Sequence, residues 1–103
     1  MLVLTTYNLK PGADVQKFRA WSRDIDLPAC LAKPVCRRFD TFTTPGSGPS
    51  ELTTVVEWID VTSLEEWDKA TSAPDHAAIM EQWNEFAVED SVVSRVCEPV
   101  SAS

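Results

Sequence analysis

The sequence contains few of the residues that build metal, redox or nucleotide sites. It has one histidine, three cysteines and three glycines in 103 residues. The cysteines are widely separated, which is typical of reduced thiols in a cytoplasmic protein and not of a disulfide framework. A single histidine does not predict a tetrahedral zinc site or a facial triad, and no glycine-rich loop for a dinucleotide or phosphate is visible. We therefore expect no metal and no other cofactor.

Basic residues and long apolar runs are also scarce. Nine Lys and Arg stand against 16 Asp and Glu, which gives a formal charge of -7. Such a surface repels phosphate backbones and anionic headgroups, so neither nucleic acid nor a membrane is expected as a partner. No apolar stretch approaches the roughly 20 residues that span a bilayer, and the N-terminus lacks the features of a secretory signal. These observations predict a cytoplasmic protein.

Hydrophobic residues, by contrast, make up 44% of the chain, and four of them are tryptophans. This content is enough for one core without disulfide or metal crosslinks. We predict a single domain over residues 1–100 with a short tail at 101–103. Four tryptophans are many for a chain of this length. Because tryptophan supplies large, rigid contact area, this content indicates either an aromatic-rich core or a cavity with aromatic walls.

Four segments have the β-branched and aromatic composition of strands. They are residues 2–9, 35–43, 52–59 and 91–97. Between the first two, apolar residues recur at the helical period from Asp14 until Pro28, where the helix is predicted to end. The segment 62–65 has capping-box spacing and begins a short helix. Pro74 begins a further helical piece that runs from His76 to Phe86, and residues 45–50 are predicted to form a loop between the middle strands.

This order is βαββαβ with the second helix split in two. It predicts an α+β, ferredoxin-like fold with a four-stranded antiparallel sheet and helices on one face. The third strand has apolar residues on both faces, and such a mixed face suits a homodimer of the dimeric α/β-barrel type. The alternative is a monomer whose exposed face carries a few apolar residues.

Two short patterns resemble known families. The run Glu57-Trp58-Ile59-Asp60-x-x-Ser63-Leu64-x-x-Trp67, followed by Pro74-Asp75-His76, resembles the dimeric α/β-barrel superfamily, which includes antibiotic biosynthesis monooxygenases and olivetolic acid cyclase. The pattern Trp21-x-x-Asp24-x-Asp26-x-Pro28 is similar to the small REDY-like, HapK-type proteins associated with prodigiosin-type pigment pathways. The resemblance spans nearly the whole chain in element order. It implies a ligand cavity between sheet and helices, and it matches His76 to the histidine of the cyclases, whereas their tyrosine position falls near Ala70.

His76 and Tyr7 are the predicted catalytic residues. His76 is the only side chain whose ordinary pKa lies near neutrality, as a general acid or base requires, and it lies on the apolar stripe of the last helix. Tyr7 is the only tyrosine, and its hydroxyl could orient a substrate carbonyl or phenol. The alternative for both is a structural role, with the polar atom satisfied by the protein itself.

The predicted substrate-binding residues come from strands and helices that would surround the cavity. They are Val3, Thr5, Thr54, Val56, Trp58, Trp67, Ile79, Trp83 and Phe86. The alternative is that these side chains fill an ordinary core, as aromatic stripes at helical spacing usually do. Asp24 and Asp26 are interpreted as a solvated helix end, since residues two apart do not share a helix face.

The expected ligand is a small hydrophobic or aromatic molecule. We predict a cofactor-independent tailoring enzyme of secondary metabolism that acts on an aromatic or polyketide-like intermediate by acid-base chemistry, in a cyclisation, dehydration or isomerisation. Two alternatives remain open: a cofactor-free monooxygenase of the antibiotic biosynthesis type, and a non-catalytic binding or carrier protein.

Overall fold

The computed structural model describes residues 1–44 and 52–101, and it contains one antiparallel sheet. Its strands are β1 (Leu2–Asn8), β2 (Cys36–Thr43), β3 (Thr54–Val61) and β4 (Val93–Cys97), in the spatial order β2-β3-β1-β4. This arrangement confirms the predicted α+β, ferredoxin-like fold. The predicted loop at residues 45–50 lies outside the described residues, as do the last two residues of the predicted tail.

The first helical segment is longer than predicted. Helix α1 (Val15–Trp21) continues through a π-helical turn at Ser22–Asp26 into α2 (Leu27–Leu31), so the prediction that Pro28 ends the helix is wrong. Pro28 lies at the start of α2, directly after the π-helical turn, and the helix continues through it. The wider π turn also changes which residues face the sheet, since Asp26 is buried while Ile25 is 43% exposed.

The second helical segment is divided, as predicted. It comprises α3 (Leu64–Ser72), a 3-10 turn at Pro74–His76 and α4 (Ala77–Phe86). Ala73 between them is extended, as expected of a residue before proline. The Ser63 hydroxyl accepts a hydrogen bond from the Glu66 amide at 3.1 Å, so the cap lies one residue later than the spacing at 62–65 predicted.

All four helices lie on one side of the sheet, and the core forms between them and the odd-numbered residues of β1 and β3. One cluster of buried residues packs beneath α2 and comprises Val3, Cys30, Cys36, Phe39, Ile59 and Val61. A second lies beneath α1 and α4 and comprises Tyr7, Leu9, Phe18, Val55 and Ala87. The candidate site lies on this helix-facing side of the sheet.

The opposite face of the sheet, which we call the open face, is not covered by any described element. Phe42, Trp58 and Val93 lie on it and are 56%, 40% and 47% exposed. Phe42 pairs with Val56, Val56 with Thr6 and Thr6 with Val93, so Phe42 and Val93 lie in one row across the sheet. Trp58 lies two residues from Val56 and therefore in the next row of the same face. In the part of the chain that the structure describes, no helix is long and apolar enough to cross a membrane.

Candidate functional site

A cavity of about 440 Å³ lies between the helix-facing side of the sheet and the helices. Its apolar wall is formed mainly by large side chains. These are Phe39, Ile59, Trp67, Ile79, Met80, Trp83 and Val92. Its polar groups come from every layer of the fold. They are Thr5, Tyr7, Asp26, Cys30, Glu57, Thr71, His76, Glu89 and Ser94.

Two neighbouring strands bring Tyr7 and Glu57 together in the floor of this cavity. Thr5 pairs with Glu57, so Tyr7 and Glu57 are diagonal neighbours on one face of the sheet. The Tyr7 hydroxyl donates a hydrogen bond to Oε2 of Glu57 at 3.1 Å. Burial, with the nearby Asp26 carboxylate, raises the pKa of Glu57 to about 8. Burial and the Glu57 charge raise the pKa of Tyr7 far above its ordinary value, so the phenol stays protonated.

Asp26 and Cys30 reach the cavity from the first helical segment. They are four residues apart, which places them on one helix face, and the Cys30 thiol donates to Oδ1 of Asp26 at 3.6 Å. Burial raises the pKa of Asp26 to about 6. Burial also raises the pKa of the Cys30 thiol, and the Asp26 charge adds to this effect. The pair is therefore a neutral thiol beside a carboxyl group whose pKa is about 6.

His76 enters from the 3-10 turn before α4 and is 3% exposed. Burial and the charge of Lys33 lower the pKa of His76, partly offset by Asp75, so the imidazole is neutral at physiological pH. One ligand atom each from Asp26, Cys30 and His76 lies within 4.8 Å of the others. The first helical segment and the 3-10 turn thus assemble carboxylate, thiol and imidazole in one buried place.

The cavity also reaches β4, an edge strand of the sheet, through Ser94. Thr5 Oγ1 and Ser94 Oγ are 2.8 Å apart, and their hydrogen bond links β1 to the edge strand. Trp83 also lines the cavity, and its ring centroid lies 5.1 Å from that of Tyr7 in an edge-to-face arrangement.

Several residues predicted from the sequence do meet at this cavity. They are Thr5, Tyr7, Trp67, His76, Ile79 and Trp83. His76, Ile79 and Trp83 follow one another at helical spacing, and Thr5 and Tyr7 are two residues apart on β1, so they share one face of the strand. Their catalytic and binding roles stay predictions, because their placement alone does not test a function.

The predicted cavity positions of Thr54, Val56 and Trp58 are wrong. Pairing of Thr5 with Glu57 places the odd-numbered residues of β3 beneath the helices and these three residues on the open face. Since side chains alternate along a strand, assigning the wrong parity moves the whole set to the other side.

Val3 and Phe86 were also predicted to line the cavity, and neither does. Val3 is buried in the cluster beneath α2. Phe86 packs against Phe18 and Trp21, at ring distances of 5.6 and 5.7 Å. Both side chains contribute to the packing that supports the site.

Three of the polar cavity residues were not predicted from the sequence. No site role was predicted for Glu57 or Cys30, and Asp26 was interpreted as part of a solvated helix end. The fold also brings Cys30, His76 and Asp26 together, although they are widely separated in the sequence.

The sheet and the split helix together define a ferredoxin-like α+β protein with a cavity between sheet and helices. Residues 1–100 match the family described as REDY-like protein HapK, and the chain belongs to this family. This confirms the resemblance read from the sequence. A comparison with curated proteins gives no significant match.

Solved structures share the fold at low sequence identity. HapK from Hahella chejuensis is 18% identical over 100% of both chains, with a TM-score of 0.76. A structure described as an antibiotic biosynthesis monooxygenase is 19% identical over 96% of this chain and 100% of that one, with a TM-score of 0.66. A dimeric ferredoxin-like protein of unknown function from Bacteroides fragilis is 15% identical over 91% of this chain and 90% of that one, with a TM-score of 0.62. At these identities the likeness establishes the fold.

Proposed function

We propose that this protein is an enzyme that transfers protons on a small aromatic or polyketide-like molecule held in the 440 Å³ cavity. The observation that carries the proposal is the buried Tyr7–Glu57 pair, which faces the same cavity as a neutral imidazole. Such chemistry serves the cyclisation, dehydration or isomerisation steps by which secondary metabolites are tailored. The family and its likeness to a structure described as an antibiotic biosynthesis monooxygenase support that setting.

The roles follow from the protonation states of the groups. With a pKa of about 8, Glu57 is mostly protonated at neutral pH and can donate a proton. Neutral His76 can accept one, and the neighbouring Asp26 carboxylate stabilises the imidazolium that results. Tyr7 and Thr5 orient the substrate through their hydroxyls. Groups whose environments separate their proton affinities in this way are typical of acid-base sites.

The proposal can be tested with a probe reaction that needs only a base in an apolar pocket. Nitrobenzisoxazole is a flat aromatic molecule that opens to a coloured phenolate when a base removes its ring proton. We expect turnover above that of free imidazole in solution and a fall of about 100-fold or more in His76→Gln. The control variant Glu81→Gln changes an exposed carboxylate on α4 and should retain full activity.

Two further outcomes of this experiment distinguish the alternatives. A carrier protein would bind the probe, seen as a change in tryptophan fluorescence, without turning it over in any variant. The second candidate function is a cofactor-free monooxygenase, and it is favoured by the likeness to the structure described as an antibiotic biosynthesis monooxygenase. In that case the deprotonated substrate reduces oxygen directly, and turnover of the natural substrate would stop under anaerobic conditions, whereas proton transfer alone would continue.

We also propose a homodimer that forms through the open face. Exposed Phe42, Trp58 and Val93 supply apolar area, and Asp40 and Arg95 flank the row of Trp58 with opposite charges. A two-fold axis brings each patch against its own copy, so opposite charges within one patch can pair across the interface. The description of the Bacteroides fragilis structure as dimeric supports this arrangement.

A further inference from the structure

We propose that Asp26, Cys30 and His76 form a Zn²⁺ site with three protein ligands and a fourth position that opens into the cavity. All three residues are buried, and all three line the cavity. The inference concerns the ligand chemistry of these side chains, and it stands on the geometry of the cluster without depending on the proposed enzymatic activity.

The donor set is the first argument for zinc. A carboxylate oxygen, a thiolate sulfur and an imidazole nitrogen are the three donor types that proteins use for Zn²⁺. Their ligand atoms lie within 4.8 Å of one another, and Cys30 Sγ is 3.6 Å from Asp26 Oδ1. Donor atoms bound to one tetrahedral zinc at about 2.0–2.3 Å lie between 3 and 4 Å apart. Small side-chain rotations are therefore enough to close the site.

The charge of the cavity is an independent argument for a cation. Asp26 brings a buried carboxyl group to the lining, and none of the described lining residues is Lys or Arg. A divalent cation would offset the charge of this carboxylate and of the Cys30 thiolate in a place where no cationic side chain of the described lining does so.

Zinc binding changes the protons of the cluster in a defined way. As the zinc–sulfur bond forms, the Cys30 S–H bond breaks and its proton leaves to solvent, and the hydrogen bond to Asp26 is replaced by metal coordination. Neutral His76 binds through a free nitrogen lone pair without losing a proton. The fourth position is left for water or for a ligand oxygen that faces the cavity, an arrangement of three protein ligands plus an open position that is found in catalytic zinc sites.

A bound zinc and a free imidazole base exclude one another at His76. If the metal binds, the proton-transfer group that remains on the protein is Glu57, which lies outside the three ligands. Zinc binding that leaves the probe reaction unchanged would therefore show that His76 is not its base, and a probe reaction that depends on His76 in a chain that binds no zinc would show that the metal site fails.

Cobalt spectroscopy on the reduced, chelator-treated full chain tests the site, because Co²⁺ reports a thiolate ligand by a near-ultraviolet charge-transfer band. We expect one Co²⁺ per chain with this band and with the visible bands of a tetrahedral ion, and displacement by Zn²⁺. Cys30→Ser should abolish the band and weaken Zn²⁺ binding by at least about 10- to 100-fold, the loss that changes outside the ligand shell already cause. Asp26→Asn should keep the band and weaken binding.

The other two cysteines supply matched controls. Cys36→Ser and Cys97→Ser should each retain the band and the affinity, since neither residue lines the cavity. The wild-type spectrum is decisive even if Cys30→Ser fails to fold. Absence of a thiolate band at saturating Co²⁺ would overturn the site, and so would a band that persists in Cys30→Ser and disappears in Cys97→Ser.

Discussion

The Tyr7 hydroxyl and the Glu57 carboxyl form a hydrogen bond of 3.1 Å on the buried side of the sheet. Glu57 is 8% exposed, and among the described residues it forms no salt bridge. A carboxyl group in this position is held mainly in its protonated form, because ionisation would leave a charge in an apolar setting with one neutral donor. The pair therefore links the site directly to the pH dependence of stability.

Replacing Glu57 by Gln should make stability less sensitive to pH. The pKa of Glu57 is raised to about 8 from an ordinary value near 4.5, so the folded state holds a proton that the unfolded state releases. The sign follows: this stabilising contribution is complete below about pH 4.5 and is lost as the pH rises through about 8. Urea unfolding of both proteins between these limits should show the wild type losing up to about 1.4 kcal/mol per pH unit relative to Glu57→Gln.

The control for this measurement is Glu81→Gln, whose carboxylate is exposed. Its stability should stay parallel to that of the wild type across the range. Asp26 and His76 also titrate in this window, but they are present in all three proteins, so the difference between curves isolates Glu57. Parallel curves for wild type and Glu57→Gln would show that the carboxyl group is solvated and ionised, which contradicts the buried pair.

The Tyr7–Glu57 hydrogen bond should appear as a coupling free energy. Tyr7→Phe leaves the buried carboxyl without its donor and should cost about 1–3 kcal/mol in the free energy of unfolding. Glu57→Leu removes the acceptor, and after that change the loss of the hydroxyl matters less. In a double-mutant cycle above pH 8, we expect the two single costs to exceed the cost of the double variant by about 0.5–3 kcal/mol. Additive costs would mean that the two groups do not interact.

The placement of Glu57 shows where local sequence patterns stop being informative. On β3, Val55 and Ile59 share one side with Glu57, while Val56 and Trp58 share the other, so hydrophobicity does not identify the buried face. The parity is decided by the pairing of Thr5 with Glu57, which joins residues far apart in the chain. The element order could be predicted from periodicity and capping, whereas the face that receives the carboxyl group could not.

Asp26 was missed for a different physical reason. A regular helix that buries Phe18 and Ser22 also carries Ile25 towards the sheet, and the π turn alters this by burying Asp26 and exposing Ile25. A π turn has no reliable signal in a single sequence. His76, Ile79 and Trp83 could be predicted, because α4 keeps the regular period over its length.

Charging the open face should dissociate the proposed dimer. Trp58→Lys places an ammonium group in the centre of the apolar patch, and a two-fold axis introduces it twice. We expect the dimer dissociation constant to rise by at least about 100-fold, measured by sedimentation equilibrium over a range of chain concentrations.

The matched control for this change is Ile25→Lys. Ile25 is 43% exposed, close to the 40% of Trp58, and lies on the helical side of the fold. It should dimerise like the wild type. A wild type that sediments as a monomer at every concentration would contradict the dimer. If Ile25→Lys dissociates the dimer and Trp58→Lys does not, the interface lies on another surface.

Phe18 should be the aromatic side chain on which folding depends most. It is 0% exposed and contacts Tyr7, Trp21 and Phe86 at ring distances of 6.4, 5.9 and 5.6 Å. Truncation to Ala leaves a cavity that three rigid rings cannot easily fill, so we expect a loss of about 3–5 kcal/mol in the free energy of unfolding. Phe18→Leu retains most of the volume and should lose less.

Thermal unfolding with a tryptophan fluorescence readout measures both Phe18 variants, and Phe42→Ala is the comparison. Phe42 has the same ring but is 56% exposed on the open face, so at concentrations where the chain is monomeric its loss should change stability little. Equal losses for Phe18→Ala and Phe42→Ala would contradict the burial of Phe18 beneath α4. We expect a large loss of stability in Phe18→Ala alone. Phe18 also contacts the Tyr7 ring, so the same packing supports the floor of the cavity.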